Sequence, residues 1–313
     1  MSIKKTVIVG AGAIGSLIGS LLAESGSDIT LCDNNKEKIA AIRKRGICIR
    51  NSFDADTTRR YIRINAVSDI SEAGQADLIL MLVKSFNTEE AAASAAKIRH
   101  DKTMILTLQN GFGNTEKILQ YWDRRQVLAG VTYHGAYEFA DGDIIHTGWG
   151  YSLITSVEGG SFPVALAAAD FLNRAGLETK AVNNFNRTAW EKLIVNCAIN
   201  PLGALYRINN GEIPASEERA DLIKSVIREA VRVARAEGTE IDEAEIRDKV
   251  ITTCKNTALN HCSMLADIER SRRTEIEAIN GSIVAMGKKH GIETPVNKEL
   301  LRKILLMNER QKT

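Results

Sequence analysis

The sequence is short of the features that mark a disulfide scaffold, a metal centre or a membrane protein. Its five cysteines (Cys32, Cys48, Cys197, Cys254 and Cys262) form no CxxC pair and, being odd in number, cannot all be bridged. Reduced thiols in a cytoplasmic setting fit that count better than a disulfide framework. The five histidines stand singly with no HxxxH spacing, so no metal site is expected. No run approaches the roughly 18 apolar residues that a spanning helix needs. The amino terminus passes from Lys4 and Lys5 into an apolar strand without a small-residue cleavage site, so no signal peptide is read. Neither sign of charge is in excess, with 41 Lys and Arg against 39 Asp and Glu. That balance gives no reason to expect nucleic acid or a membrane surface as a partner. Internal repeats and low-complexity linkers are missing as well.

What is present is the composition of an ordinary globular enzyme, 44% hydrophobic and 26% charged, in 313 residues. That length exceeds what one hydrophobic core usually supports, so two domains are expected. The first half alternates strands and helices. An apolar run at Thr6 to Gly10 leads into a helix through Ala23, a strand at Asp28 to Asp33 and a helix at Lys36 to Arg45. ADLILMLV (76–83) is almost wholly apolar, the pattern of a parallel strand covered on both faces. A helix at Thr88 to Ile98 and a strand at Thr103 to Leu108 follow. This repetition predicts a Rossmann-type, doubly wound α/β domain. Between Leu128 and Val182 the chain turns β-rich around one helix, near Phe162 to Arg174, and could extend or cap the sheet. After Asn184 helical periodicity takes over at Thr188 to Tyr206, Glu217 to Glu237, Glu243 to Ala258, Ser263 to His290 and Val296 to Glu309. The expected organisation is a dinucleotide-binding domain over 1–184 and an all-α substrate and catalytic domain over 185–313.

VIVGAGAIG places Gly10, Gly12 and Gly15 in GxGxxG spacing, with Ala11, Ala13 and Ile14 between them. The motif follows a strand and opens a helix, the setting that a dinucleotide fingerprint requires. Gly10 permits the tight turn, Gly12 lets the backbone approach a pyrophosphate, and Gly15 lets helix and strand pack closely. The helix amino terminus supplies amides and positive dipole to the phosphates. Asp33 lies at the end of the second strand, where a carboxylate accepts from ribose hydroxyls and repels a 2′-phosphate. NAD(H) is therefore favoured, with NADP(H) still open through Lys36; a helix N-cap at Asp33 or Asn34 is the plainer alternative.

Other polar residues fall at telling places. Lys84 and Ser85 follow an all-apolar strand at its carboxyl end, where ligands bind in open α/β sheets, and Asn110 ends the next strand. Either could instead be an ordinary loop or turn residue. Lys192, Asn196 and Asn200 stand at i, i+4 and i+8 of a helix and share one face. Their apolar neighbours argue that the helix is buried, and a buried lysine needs a reason. Pro201 should kink or end this helix. Ser263, Asp267 and Glu275 share an arc if Ser263 to His290 is one long helix, although Ser263 could serve as an N-cap and Glu275 as a surface ion-pair partner of Arg272 or Arg273.

In order and spacing GAGAIG, LVKSFNT (82–88), LQNGFGN (108–114), WEKLIVNCAINPLGALY (190–206), NNGEI (209–213) and NHCSMLADIERSRRTEIEAINGSIV (260–284) resemble the ketopantoate reductase family, over roughly residues 5 to 308. The resemblance implies nicotinamide-dependent hydride transfer to the C2 ketone of ketopantoate, giving pantoate. It implies Lys192 as general acid and Glu275 as partner of that lysine and of a substrate hydroxyl. By the same likeness Lys84 and Asn110 contact the cofactor and the reacting centre. Ser263 would hold the substrate carboxylate, and Asn196, Asn200, Asn210 and Asn260 would complete the pocket. Asp33 departs from the family, whose NADPH-dependent members carry a basic residue there. Two alternatives stay open: an NAD(H)-dependent reductase of a different small 2-keto acid, and a non-catalytic NAD(H)-binding regulatory protein. The carboxy-terminal helices could bury a face in a homodimer or within one chain.

Overall fold

The computed structural model describes residues 3–51, 60–139, 143–158 and 162–310. Two compact units emerge, one of residues 1–109 and 114–185, the other of residues 110–113 and 186–313.

The first unit is built on an eight-stranded sheet. Its strands are β1 (Lys5–Val9), β2 (Asp28–Cys32), β5 (Asn65–Val67), β6 (Leu78–Met81), β7 (Met104–Thr107), β8 (Val127–Thr132), β11 (Ser152–Ser156) and β12 (Thr179–Ala181), in the spatial order β12-β11-β8-β7-β6-β1-β2-β5. All neighbours are parallel except β8 and β11. The helices are α1 (Ala13–Glu24), α2 (Lys36–Arg45), α3 (Thr88–Ala95), α4 (Asn114–Ile118) and α5 (Phe162–Arg174). Alternate residues of the central strands enter different cores: Ile8, Leu31, Leu80 and Leu106 join α1 and α5, while Val7, Val9, Ile79, Met81 and Ile105 join α3. Both faces are thus covered, which is why β6 reads as an unbroken apolar run. The β-rich segment after Leu128 both extends the sheet and departs from it: β9 (Gly135–Glu138) and β10 (Ile144–Gly148) join β3 (Ile47–Asn51) and β4 (Arg60–Ile62) in a separate sheet of order β4-β3-β10-β9. α1 contacts strands of both sheets. Its small residues Gly15, Ser16, Gly19 and Ser20 are buried with Leu17, Ile18 and Leu22, as a helix covered on two sides demands.

The second unit is helical: α6 (Asn186–Tyr206), α7 (Glu217–Ala236), α8 (Glu243–Asn256), α9 (Ser263–Glu269), α10 (Asn280–Lys289) and α11 (Pro295–Arg310). α6 contacts α7, α8, α9 and α11, and Leu193, Ile194, Cys197, Ala198 and Leu202 lie in the middle of this core. Ser216 and Asp242 cap α7 and α8, accepting from the N–H of Arg219 (3.2 Å) and Glu245 (2.8 Å).

α6 runs through Pro201 to Tyr206, the end that its periodicity suggests. One sequence expectation is corrected: 263–290 is not one helix. α9 stops at Glu269, Ser271 takes a left-handed conformation (φ 52), and α10 begins only at Asn280. The N–H of Arg272 donates to the carbonyl of Asp267 (2.8 Å) and that of Ser271 to Ile268 (3.0 Å). These are the two bonds of a Schellman stop, made with serine where glycine is usual. Glu275 therefore lies outside regular helix, and the shared-arc argument for Ser263, Asp267 and Glu275 fails.

No helix among the described residues is long and apolar enough to cross a membrane.

Candidate active site

In the first unit, the loop after β1 has the build of a phosphate cradle. The Gly10 N–H donates to the Cys32 carbonyl (2.8 Å), and its φ of 108 suits only glycine. A Cβ on Gly10 would stand 2.6 Å from the Leu82 carbonyl carbon, and one on Gly15 would collide with the Gly10 carbonyl oxygen. Gly12 is different: a Cβ there meets nothing within 4 Å, so packing does not explain the glycine. Gly12 occupies the N-cap of α1 without a side chain to give, and the first turn holds no acid. The amides and dipole of this turn are therefore unanswered by any side chain of the cap, which suits an anionic ligand. Ala11, fully buried, donates its N–H to Asp33 Oδ2 (2.8 Å), while Oδ1 accepts from the Asn35 N–H (3.0 Å). Ala13 and Ile14 are partly exposed in the first turn. The N-cap of α2 is neither Asp33 nor Asn34 but Asn35, which accepts from the Lys38 N–H (2.9 Å). Asp33 is thus tied to the glycine loop itself.

At the carboxyl end of β6, Lys84 is half-buried and opens a 3-10 turn at Ser85–Asn87. A polar lattice fixes this edge. Gln109 donates from Nε2 to the Val83 carbonyl (2.7 Å) and to Thr88 Oγ1 (2.8 Å), and Thr88 donates to Asn114 Oδ1 (2.9 Å). Gln109, Thr88 and Asn114 were not singled out from sequence; their signal was their place in the strings holding Lys84 and Asn110.

Asn110 to Gly113 belong to the helical unit. Gly111 (φ 80) presses on the Ala278 backbone, the Phe112 N–H donates to the Ala278 carbonyl (2.9 Å), and the Phe112 ring meets Trp190 edge-on with centroids 5.0 Å apart. Asn110 is thereby carried beside the segments that bear Lys192 and Glu275. On α6, Lys192 and Asn196 are partly exposed and Asn200 is buried. Enclosure pulls the Lys192 ammonium down from 10.5 to about 8, against the opposing pull of the Glu275 carboxylate. Glu275 is itself only 7% exposed, so its charge acts on Lys192 in a medium that screens it weakly. Ser263 is exposed and opens α9, but Cys262 is the N-cap, accepting from the Leu265 N–H (3.4 Å). Cys262 Sγ also donates to the Asn200 carbonyl (3.3 Å), which sets Ser263 next to the end of the α6 stripe. The Asn210 N–H donates to the Asn260 carbonyl (3.0 Å) and its Nδ2 to Thr257 Oγ1 (2.9 Å). Asn210 Oδ1 is buried with no hydrogen-bond partner. No cluster of three His, Cys, Asp or Glu able to hold a metal occurs among the described residues.

Residues 6–159 match the family described as ketopantoate reductase PanE/ApbA, and residues 184–308 match its carboxy-terminal domain. The chain belongs to the ketopantoate reductase family. It is 38% identical to a 2-dehydropantoate 2-reductase of Pyrococcus horikoshii, with 94% of each chain covered. It is 35% identical to one of Archaeoglobus fulgidus, covering 96% of this chain and 97% of the relative. Among solved structures, a D-mandelate dehydrogenase with NADH and anilino(oxo)acetate is similar at TM-score 0.94 and 25% identity, covering 99% of this chain and all (100%) of that one. A PanE/ApbA family ketopantoate reductase from Ralstonia eutropha is similar at TM-score 0.87 and 28% identity, with 99% and 100% covered.

Proposed function

We propose that the chain is a 2-dehydropantoate 2-reductase, reducing the C2 ketone of ketopantoate to the alcohol of pantoate. The observation that carries the reading is Lys192: a lysine whose ammonium enclosure lowers to about 8 against the pull of Glu275, on a helix face shared with Asn196 and Asn200.

The residues of the first unit fit a nicotinamide dinucleotide. Gly12 leaves open space over the amino terminus of α1, Gly10 and Gly15 admit no side chain, and the Asp33 carboxylate stands beside the loop. Gly10, Ala11, Gly12, Ala13, Ile14 and Gly15 would hold the pyrophosphate, Asp33 the adenosine ribose, and Lys84 and Asn110 further parts. The reduced cofactor, when bound, supplies the hydride. Asp33 favours NAD(H), because its charge repels a 2′-phosphate.

The remaining chemistry belongs to the helical unit. As the ketone carbon is reduced, negative charge grows on its oxygen. The Lys192 ammonium stabilises that charge and donates the proton from the same Nζ atom. A pKa of about 8 leaves the lysine mostly charged at neutral pH yet readier to give its proton than an ordinary lysine. Glu275 orients the ammonium and accepts from a substrate hydroxyl. Ser263 donates to the carboxylate, and Asn110, Asn196, Asn200, Asn210 and Asn260 hold the rest of the substrate in one orientation.

A second reading, an NAD(H)-dependent reductase of another 2-keto acid, is favoured by Asp33 together with the likeness to the NADH-bound D-mandelate dehydrogenase. Both readings are tested by loss of 340 nm absorbance with ketopantoate or phenylglyoxylate, each with NADH and NADPH, and with Lys192→Ala as control. Lysine-dependent turnover of ketopantoate supports the first reading. Turnover of phenylglyoxylate alone supports the second. Preference for NADPH would overturn the role given to Asp33 and leave the others standing.

A further inference from the structure

Pro201 stands inside α6, and its ring nitrogen has no hydrogen to offer the Cys197 carbonyl one turn back. That carbonyl nevertheless has a donor, the side-chain amide of Asn280 at 3.1 Å. Asn280 is fully buried at the start of α10, and its Nδ2 also donates to Asn297 Oδ1 (3.0 Å). Asn297 in turn donates from Nδ2 to Glu229 Oε2 (2.7 Å), and Glu229 accepts the N–H groups of Val296 (2.8 Å) and Asn297 (2.9 Å). A line of buried polar groups therefore runs from α7 through the first turn of α11 to α10 and ends on the backbone of α6.

Where it ends is informative. Cys197 faces the core, but its carbonyl belongs to the turn of α6 that joins Asn196 to Asn200. A proline within a helix removes one rung of the ladder and marks the usual place for bending. A bend here would alter how Lys192 and Asn196 stand relative to Asn200. An alanine at position 201 would close the rung within α6. The pair found here instead fastens α6 to α10, whose first residue follows Glu275 by five positions in the sequence.

We infer that Asn280 is a positioning residue for the reduction: by donating to the carbonyl that Pro201 cannot serve, it holds the Lys192–Asn196–Asn200 face of α6 in one geometry. The inference rests on the function proposed above. It makes Asn280 a complement to Pro201, and not merely one more polar group in the core.

The test is a four-protein cycle of the unaltered chain, Asn280→Ala, Pro201→Ala and the double variant. Each is assayed for kcat and KM with ketopantoate and NADH across pH values either side of about 8. Asn280→Ala is expected to lose on the order of 100-fold in kcat/KM through misplacement of the stripe, and its alkaline limb should move up towards an ordinary lysine. Pro201→Ala supplies the missing N–H, so the double variant should regain at least roughly tenfold of that loss. Unaltered kinetics and pH profile in Asn280→Ala would overturn the inference, and so would a loss that Pro201→Ala does not relieve. Should Asn280→Ala fail to fold, recovery of the folded protein in the double variant supports the pairing and continued failure overturns it. If the unaltered chain reduces no ketopantoate, the proposed function fails separately. The fastening is then judged by thermal unfolding of the same four proteins, with relief of the Asn280→Ala deficit by Pro201→Ala supporting it and simple addition of deficits refuting it.

Discussion

Replacing Lys192 by methionine should make the protein more stable and inactive at once. The side chains are similar in length, so the change removes charge with little change in packing. The ammonium falls from 10.5 to about 8 because enclosure disfavours it more than Glu275 favours it. At about 1.4 kcal/mol per pH unit, holding this charge at pH 7 costs the folded state up to about 3 kcal/mol. That is a ceiling, because Lys192 keeps some contact with solvent. With an unfolding entropy of about 2.1 cal/mol/K per residue, a chain of 313 residues shifts by roughly 1.5 °C per kcal/mol, so Lys192→Met should melt up to roughly 5 °C higher at pH 7. The sign of the pH dependence follows from which state holds the proton. Between pH 8 and 10.5 the unfolded chain keeps a proton that the folded chain has lost, so the stability of the unaltered protein rises through that window. The advantage of the variant should therefore be greatest below pH 8 and fade by about 10.5. Thermal melts followed by circular dichroism at pH 7 and near pH 10, beside a 340 nm assay, measure both effects. A variant no more stable at pH 7, or one whose advantage does not change with pH, would refute the claim that Lys192 is held charged against its surroundings.

Gly12→Ala and Gly15→Ala should part company. The first adds a Cβ to open space and should leave the melting temperature unchanged while weakening NADH binding, read by fluorescence titration. The second drives a Cβ into the Gly10 carbonyl and should lower stability as well as binding. Asp33→Ser should shift the ratio of kcat/KM for NADH over NADPH at least about tenfold towards NADPH, since the charge that repels a 2′-phosphate is gone; an unchanged ratio would remove Asp33 from cofactor selection. His134 is lowered to about 4 by burial and by His146 nearby. From pH 6.5 down to about 4 the unfolded chain therefore binds the extra proton, and stability is lost as pH falls through that range. His134→Gln should shift the acid-unfolding midpoint to lower pH, and an unmoved midpoint would show that His134 plays no part in acid unfolding.

The doubly wound sheet was legible because its central strands are covered on both faces. ADLILMLV and the helix of 36–45 announce themselves by apolar run and by periodicity. The second sheet was not. β4 has three residues, and β3 pairs in parallel with β10, nearly a hundred positions later, so no local pattern encodes the partnership. The break at Ser271 went unread for a similar reason. A left-handed stop is normally signalled by glycine or asparagine, and serine carries no such flag. In the candidate site, helical spacing alone put Lys192, Asn196 and Asn200 on one face. The coupling of Lys192 to Glu275 could not be read that way, since Glu275 sits on an irregular segment whose direction depends on tertiary packing. Asn280 was hidden for the same reason, because its acceptor lies 83 positions away.

The detour of residues 110–113 has a consequence for how this chain can be taken apart or reused. The helical unit is not a tail that begins at Asn186. It includes an earlier visit of the polypeptide, whose Phe112 abuts Trp190 and whose amide is bound by Ala278. A shortened product starting at Asn186 would lack that plug and bare part of its own interior. A rearranged gene would have to carry the four-residue stitch along with the helices. The units are sewn by three crossings of the chain rather than hung in series.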